Sequence, residues 1–191
     1  MKRSHIAIAF AFFVAFAMES VPAQHHKQGN ESGISISSPS FATPSSILEE
    51  HKHLHHQLDE ALASGGKTEA SARVVADALL PHFEAEEAYA MPPLGLLEFI
   101  ADDRPLSGKQ MDEAIKMAAQ LQAHYEQMIQ EHRQIQSALK ALASAARQEH
   151  KPEVLAFAEA LMLHAQNEEQ VLYPTTLLIG KYLKLRQMSG Q

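Results

Sequence analysis

Residues 82–87 read His-Phe-Glu-Ala-Glu-Glu, and residues 164–169 read His-Ala-Gln-Asn-Glu-Glu. Each stretch has a histidine, a glutamate four residues later and a second glutamate directly after it. Residues four apart lie on one face of an α-helix, separated by about 6 Å along the axis. His82 and Glu86 therefore project toward one region, and so do His164 and Glu168.

The apolar residues around these stretches extend the repeat over most of the chain. Residues at 47–61 are matched by similar residues 81 positions later. Residues at 75–92 are matched by similar residues 82 positions later. Spacings of four and three are typical of helices packed in a bundle. The sequence therefore predicts a duplicated helical hairpin, with a histidine inside each apolar seam. The first seam and its copy are Ile47, His51, Leu54, Leu58, Ala61 and Met128, His132, Ile135, Leu139, Leu142.

Helix signals divide the chain into four long helices, at about 47–63, 68–91, 107–147 and 152–173, with the last resuming through residue 183 after Pro174. These helices predict an all-α, up-down-up-down four-helix bundle over residues 45–184, built from two pseudo-symmetric helical hairpins. The connection at 92–105 is expected to cover one end of the core. The signals that open the helices are the capping pairs Ser46–Glu49 and Ser107–Gln110, together with Thr68 and Pro152.

Composition narrows the possible partners. The 191 residues include 16 Lys plus Arg, 23 Asp plus Glu and no Cys, for a formal charge of −7. With no basic block, the chain lacks the charge pattern of a protein that binds nucleic acid or anionic membranes. Without cysteine it has no disulfides and no thiolate metal ligands, so a metal has to be bound by imidazole and carboxylate.

The amino-terminal residues predict export. Two basic residues, an apolar stretch at 6–18 and small residues at Val21 and Ala23 are typical of a signal peptide over 1–23, cleaved after Ala23. The alternative is an uncleaved membrane anchor, but thirteen residues of helix span only about 20 Å of a core roughly 30 Å thick. We expect a periplasmic or secreted protein that is free of the membrane once the signal peptide is removed.

A serine-rich stretch at 24–44 predicts a flexible linker between the signal peptide and the bundle. Cleavage after Ala23 would make His26 the third residue of the mature chain, an arrangement that binds copper or nickel. Two solvated histidines in a flexible tail are the simpler interpretation.

Charge balance predicts cations between the helices. A carboxylate buried in an apolar seam is unstable without a positive partner. Two divalent cations, each bound by two imidazoles and both bridged by two carboxylates, would satisfy this layer. Iron, manganese and zinc all suit these ligands, and a bridged pair with an open position inside a helical bundle favours iron. The alternative is that the same side chains are merely interfacial. The predicted ligands are His51, His82, His132, His164, Glu86 and Glu168.

The two stretches, together with Glu-His-Lys-His-Leu at 50–54 and Glu-His-Arg-Gln-Ile at 131–135, resemble the hemerythrin-like (HHE cation-binding) family. The resemblance covers about residues 45–184. It implies a non-haem di-iron protein in which the four histidines bind two iron ions, with Glu86, Glu168 and an oxo or hydroxo group as bridges. The implied partner is dioxygen or nitric oxide.

The family's oxygen carriers have a fifth histidine ligand, four residues from another on one helix. Met128 and Gln136 stand at that distance from His132, so His55, four residues after His51, is the candidate seventh ligand. Without His55 the site resembles the four-histidine members associated with nitric oxide and iron-cluster repair. Those repair members carry an additional amino-terminal segment with a cysteine, and this chain has none.

We therefore expect an exported di-iron protein that binds a small diatomic ligand. A di-iron enzyme of the peroxidase or nitric oxide reductase type and a metal store or buffer are the alternatives. A ferritin-like oxidase requires Glu-x-x-His on two helices, and only residues 50–53 match; a metalloprotease requires His-Glu-x-x-His, which is absent. Tyr89, Tyr125 and Tyr173 are expected to pack as aromatic side chains, with hydrogen bonding near the site as the alternative. Glu87 and Glu169 are expected to support the ligands or to face water. The sequence does not determine the oligomeric state.

Overall fold

The computed structural model describes residues 40–190, and all of its regular structure in that range is helical. This confirms the prediction of an all-α bundle. The predicted signal peptide, His26 and residues 24–39 of the predicted linker lie outside the described residues. The helices are α1 (Ser45–Leu62), α2 (Gly66–Ala85), α3 (Leu97–Ala101), α4 (Gly108–Gln148), α5 (Pro152–Asn167) and α6 (Tyr173–Met188).

Two π-helical turns interrupt the long helices at matching places. Glu86–Ala90 follows α2, and Glu168–Leu172 joins α5 to α6. The fourth predicted helix therefore continues past Pro174, which lies in the first turn of α6, where the missing proline N–H is tolerated. A short 3-10 turn, Pro92–Leu96, and α3 then lead toward α4.

The longest helix organises the packing. α4 has 41 residues and lies against α2, α5 and α6, while α1 lies against α2 and α5. The predicted capping box at its start is confirmed, because the Ser107 side chain accepts from the Gln110 backbone and the Gln110 side chain accepts from the Ser107 backbone. The capping box predicted at Ser46 is wrong: α1 begins one residue earlier, after Pro44, and has no side-chain cap.

The start of α2 is capped by Glu149, which lies in the turn between α4 and α5. Glu149 accepts hydrogen bonds from the backbone N–H groups of Lys67 and Thr68 and from the Thr68 hydroxyl, at 2.7, 3.1 and 2.7 Å. Lys151 donates to Glu149 and to the carbonyl oxygens of residues 64 and 65. These donors hold the pKa of Glu149 well below its usual value. Thr68 is therefore not the cap itself, since α2 starts two residues earlier at Gly66.

Two apolar clusters fill the bundle, one toward each end. The turn-end cluster, on the side of the α1–α2 and α4–α5 turns, includes Leu58, Leu79, Phe83, Leu139 and Phe157. The connection-end cluster, on the side of the connection at 92–105, includes Met91, Leu94, Leu121, Met128 and Tyr173. Along α1 and α4, His51 and His132 lie between residues of one cluster and residues of the other. A polar layer therefore crosses the middle of an otherwise apolar core.

The connection at 92–105 covers the end of the connection-end cluster, as predicted, because Leu94 and Leu96 are buried there. The final residues of the predicted linker also pack on the bundle. Ser40 donates two hydrogen bonds to Glu113 on α4, and the backbone oxygen of Ala42 lies where a Cβ on Gly95 would be. Residues 40–44 thus belong to the packed structure, because these polar contacts and the close approach to a glycine fix them.

Within residues 40–190, no helix combines the length and the apolar character needed to cross a membrane.

Candidate metal centre

Four histidines and two glutamates meet in the polar layer between the two clusters. The histidines come from α1, α2, α4 and α5, and each glutamate is the first residue of a π-helical turn. No more than 4% of any of these residues is exposed. They are His51, His82, His132, His164, Glu86 and Glu168.

The donor atoms of these side chains form two groups, each with all its atoms within 4.8 Å of one another. The α2–α4 group consists of His82, His132, Glu86 and Glu168. The α1–α5 group consists of His51, His164 and again Glu168. Each group therefore offers two imidazoles and at least one carboxylate to a cation.

Both carboxylates face both groups, one oxygen toward each. Glu168 has Oε1 at 2.9 Å from His164 Nε2 and Oε2 at 3.4 Å from His132 Nε2. Glu86 has Oε1 at 3.3 Å from His82 Nε2 and Oε2 at 4.0 Å from His51 Nε2. This is the arrangement required of carboxylates that bridge two cations.

Each imidazole is oriented by a carboxylate on its outer side. The four contacts join the Nδ1 atoms to oxygens of partly exposed glutamates on other helical segments, at 2.8–3.1 Å. An Nδ1–H that donates to a carboxylate leaves the Nε2 lone pair free to bind a metal. The pairs are His51–Glu87, His82–Glu131, His132–Glu169 and His164–Glu50.

These outer glutamates are sequence neighbours of the inner ones or of the histidines. Glu87 and Glu169 had been expected either to support the ligands or to face water, and the structure shows the first role. Glu50 and Glu131 were missed. A usable signal was present, since each precedes a seam histidine and the two are 81 residues apart.

Four inward-facing atoms are buried without a well-formed hydrogen bond to any of the described residues, which suits the site to cations. They are His51 Nε2, His164 Nε2, Glu86 Oε2 and Glu168 Oε1, and the second and fourth of these lie only 2.9 Å apart. When the Nδ1 atoms carry the protons, lone pairs of nitrogen and oxygen face one another. A buried acceptor left in this way costs about 1–3 kcal/mol. One cation in each group would satisfy all four atoms.

The electrostatics of the site also favour positive charge. Burial lowers the pKa of an imidazole, but hydrogen bonds and charge from Glu168 and Glu86 outweigh it and raise the pKa of His132 to about 10. Glu168 and Glu50 raise the pKa of His164 to about 9 in the same way. Burial raises the pKa of Glu168, but the surrounding histidines lower it well below its usual value. Without a metal, protons on the imidazoles supply the charge that these carboxylates require.

His55 lies outside both groups. Its side chain is half-buried, and its ring meets the ring of Phe83 edge-on, with centroids 5.1 Å apart. Phe83 in turn stacks on His51 at 4.4 Å. The structure thus brings six of the seven predicted residues together, while metal ligation by all seven stays a prediction.

Tyr173 enters the site, so the alternative of hydrogen bonding near the site holds for this tyrosine in addition to aromatic packing. Its hydroxyl donates to Glu86 Oε1 and lies 3.3 Å from both His82 Nε2 and His132 Nε2. Its ring stacks on His132, with centroids 5.5 Å apart and the planes inclined by 12°. Burial and the charges of Glu86 and Glu168 raise the pKa of this hydroxyl above its usual value, so it keeps its proton in the absence of a cation. Tyr89 and Tyr125 do not contact the six residues directly through their hydroxyls; the Tyr89 hydroxyl donates to Met128 Sδ.

The fold and the site define a helical-bundle protein with a buried centre of histidines and carboxylates that is suited to binding metal. A family model supports the same conclusion: the hemerythrin HHE cation-binding domain matches residues 44–176, and the chain belongs to this family. No curated protein and no solved structure matches the chain.

Proposed function

We propose that this chain is an exported protein that holds two iron ions and reversibly binds a small diatomic molecule, dioxygen or nitric oxide. The observation that carries the proposal is the orientation of Glu86 and Glu168, whose oxygens are divided between two groups of imidazoles. Imidazole and carboxylate ligands around a bridged pair of cations in a helical bundle favour iron over manganese or zinc.

Counting ligands leaves room for a small molecule. Two imidazoles and one oxygen from each of the two shared carboxylates would supply four protein bonds to each iron, and an oxo or hydroxo group would supply a fifth. An octahedral ion would then keep one position open. Bound iron would supply the electron-rich centre to which a diatomic gas attaches. The chain itself orients the imidazoles through the outer glutamates and keeps bulk water away from the buried layer.

The surroundings of the site exclude large substrates. All six predicted ligands are buried, and apolar clusters lie on both sides of them. A cavity of about 350 Å³ between α2 and α4 reaches the outer side of His82, with Tyr89, Met128 and Glu131 in its wall. A molecule of two atoms can pass between such side chains during small fluctuations, whereas a larger substrate would have to separate the helices.

We infer that the bundle is a duplicated hairpin with up-down-up-down topology. Glu87 supports His51, and Glu169 supports His132. Glu169 lies 82 positions after Glu87, and His132 lies 81 positions after His51. Both π-helical turns also begin at corresponding glutamates. Two similar hairpins packed together supply matching histidines and glutamates to the two halves of the metal centre.

Export is the part of the proposal that rests on sequence alone. The basic residues and the apolar stretch at 1–23 support a signal peptide. Of the predicted linker at 24–44, residues 24–39 support a tether, while residues 40–44 pack on the bundle that 45–184 forms. Release of the protein to the periplasm or the medium, with cleavage after Ala23, is measured by mass spectrometry of the mature amino terminus. Retention of residues 1–23 on the purified protein would contradict export by this route.

Metal analysis followed by gas binding tests the function. The purified chain, reconstituted with ferrous iron under argon, is expected to hold two iron ions and to change its visible spectrum on mixing with dioxygen or nitric oxide. Reversal of the change under vacuum supports a carrier or sensor. Irreversible oxidation with turnover of a reductant would instead indicate a di-iron enzyme. Full occupancy by zinc with less than about one iron per chain, or iron uptake without any gas response, would contradict gas binding and indicate a store or buffer.

A further inference from the structure

We propose that the hydroxyl oxygen of Tyr173 is a ligand of the cation in the α2–α4 group, so that the two cations of the centre are coordinated differently. The inference rests on the proposed metal centre and adds one protein ligand to it. It leaves the open position for a gas on the cation of the α1–α5 group, held by His51 and His164.

The position of the oxygen matches that of a ligand. Nitrogen and oxygen donors lie about 2.0–2.2 Å from a bound first-row cation, so two donors at right angles are about 3 Å apart. The Tyr173 oxygen is 3.3 Å from His82 Nε2 and 3.3 Å from His132 Nε2, and it contacts Glu86 Oε1. It therefore lies beside three of the four donors of this group, and its two distances to nitrogen are close to those expected of a further ligand. All of its polar contacts are to predicted metal ligands.

The π-helical turn explains how this residue reaches the site. Five residues of α-helix rotate a side chain by about 140° relative to the first, which would direct residue 173 away from Glu168. In the turn Glu168–Leu172, the Tyr173 backbone N–H instead bonds to the Glu168 carbonyl oxygen, five residues earlier. The wider turn brings Glu168 and Tyr173 back onto one face. Such turns within helices frequently occur at functional sites.

The repeat makes the two halves unequal at this position. Met91 is the counterpart of Tyr173, 82 residues earlier, and its backbone N–H likewise bonds to Glu86 oxygen across a π-helical turn. Met91 is buried but has no hydroxyl, and its thioether is a weak donor for iron compared with a phenolate oxygen. Only the α2–α4 group therefore receives an oxygen from this position.

Coordination requires a simple exchange of bonds. The O–H bond of Tyr173 breaks as the bond from oxygen to the cation forms. The cation takes the place of the proton that lies between Tyr173 and Glu86 Oε1, and this proton is released to solvent. No electron is transferred, and the phenolate charge offsets part of the charge of the cation.

Resonance Raman spectroscopy of the iron-loaded, oxidised protein tests the proposal, because ferric iron bound to phenolate has a visible charge-transfer band that enhances tyrosine ring vibrations. We expect the wild-type chain to show these vibrations and Tyr173→Phe to lose them. Tyr89→Phe is the matched control, since Tyr89 is also buried but donates to Met128 Sδ. Phenylalanine preserves the stacking on His132, so iron content is expected to stay within the range of the control.

A second variant keeps the test decisive if Tyr173→Phe does not fold. The chain has four tyrosines, and Tyr89→Phe/Tyr125→Phe/Tyr182→Phe leaves Tyr173 alone. Retention of the phenolate vibrations in this variant supports the proposal. The proposal would be overturned if iron-loaded wild-type protein showed no phenolate vibrations. It would also be overturned if the triple variant lost these vibrations or if Tyr173→Phe kept them. A chain that binds no iron would overturn the proposed function and this inference together, whereas iron binding without phenolate vibrations would remove the inference alone.

Discussion

Replacing Glu168 by leucine is the sharpest test of the bridged centre. Glu168 contributes an oxygen to each group of imidazoles, so its removal takes one ligand from both cations at once. Leucine fills a similar volume and cannot bind a metal. We therefore expect Glu168→Leu to lose both cations rather than one.

The size of the effect follows from linkage. A ligand that binds only the folded chain adds about 2.7 kcal/mol to the free energy of unfolding at one hundred times its Kd. Two cations would then add about 5 kcal/mol. In a chain of this size, 1 kcal/mol moves the Tm by about 2–4 °C, so loading with iron is expected to raise the wild-type Tm by about 10–20 °C. The same addition should leave the Tm of Glu168→Leu unchanged.

Calorimetry under argon, with and without ferrous iron, measures both shifts, and elemental analysis gives iron per chain. Glu159→Leu is the matched control, because Glu159 lies on α5 and makes only an exposed ion pair with Arg147, worth about 0–1 kcal/mol. Without metal, Glu168→Leu should melt below wild type, because removing one partner from a buried charged cluster is destabilising. The quantity compared is therefore the shift in Tm that iron causes in each chain. Wild-type iron content in Glu168→Leu would refute the bridging geometry.

Three further predictions concern the rest of the site. Glu50→Ala removes the carboxylate that orients His164 and is expected to weaken metal binding about 10–100-fold in a competition titration. Glu49→Ala is the control, because Glu49 is an exposed neighbour, and its metal affinity should not change. Equal affinities for the two variants would contradict the orienting role of Glu50. His55→Ala should retain the wild-type iron content, because His55 lies outside both groups, and loss of iron in elemental analysis would place it among the ligands. In the metal-free protein the pKa values of His132 and His164 are raised above the unfolded value, so their contribution to stability is complete below about pH 6.5 and is lost as the pH rises through about 9 to 10. Urea unfolding of metal-free protein between pH 6 and 10 measures this loss, and stability that rises over that range would show that the histidines are not held charged.

Local sequence patterns predicted the helices and the six inner residues well. The spacing of His82 and Glu86 depends only on the geometry of one helix, and the seam containing His51 depends only on apolar periodicity. Both are properties of a few neighbouring residues. The repeat then linked the two halves, because a duplicated hairpin has to place matching residues at matching depths.

Capping and chain ends were predicted less reliably. Ser46 fits the pattern of a cap, but Pro44 precedes the helix and no side chain caps it. The first turn of α2 is instead capped by Glu149, more than 80 residues away. A capping signal describes what a nearby side chain can do, whereas the folded chain offers partners from any helix.

Helix periodicity and charge balance, which act over a few turns, were enough to predict the all-helical class, the repeat and the six inner residues. The packing of the helices was needed to show how the carboxylate oxygens are shared between two groups and which outer glutamate orients which histidine. It also decided that Tyr173 enters the site while its counterpart Met91 brings no hydroxyl. These features depend on the relative rotation of packed helices and on a π-helical turn that shifts a side chain around the helix axis, and neither is encoded in the spacing of residues along one helix.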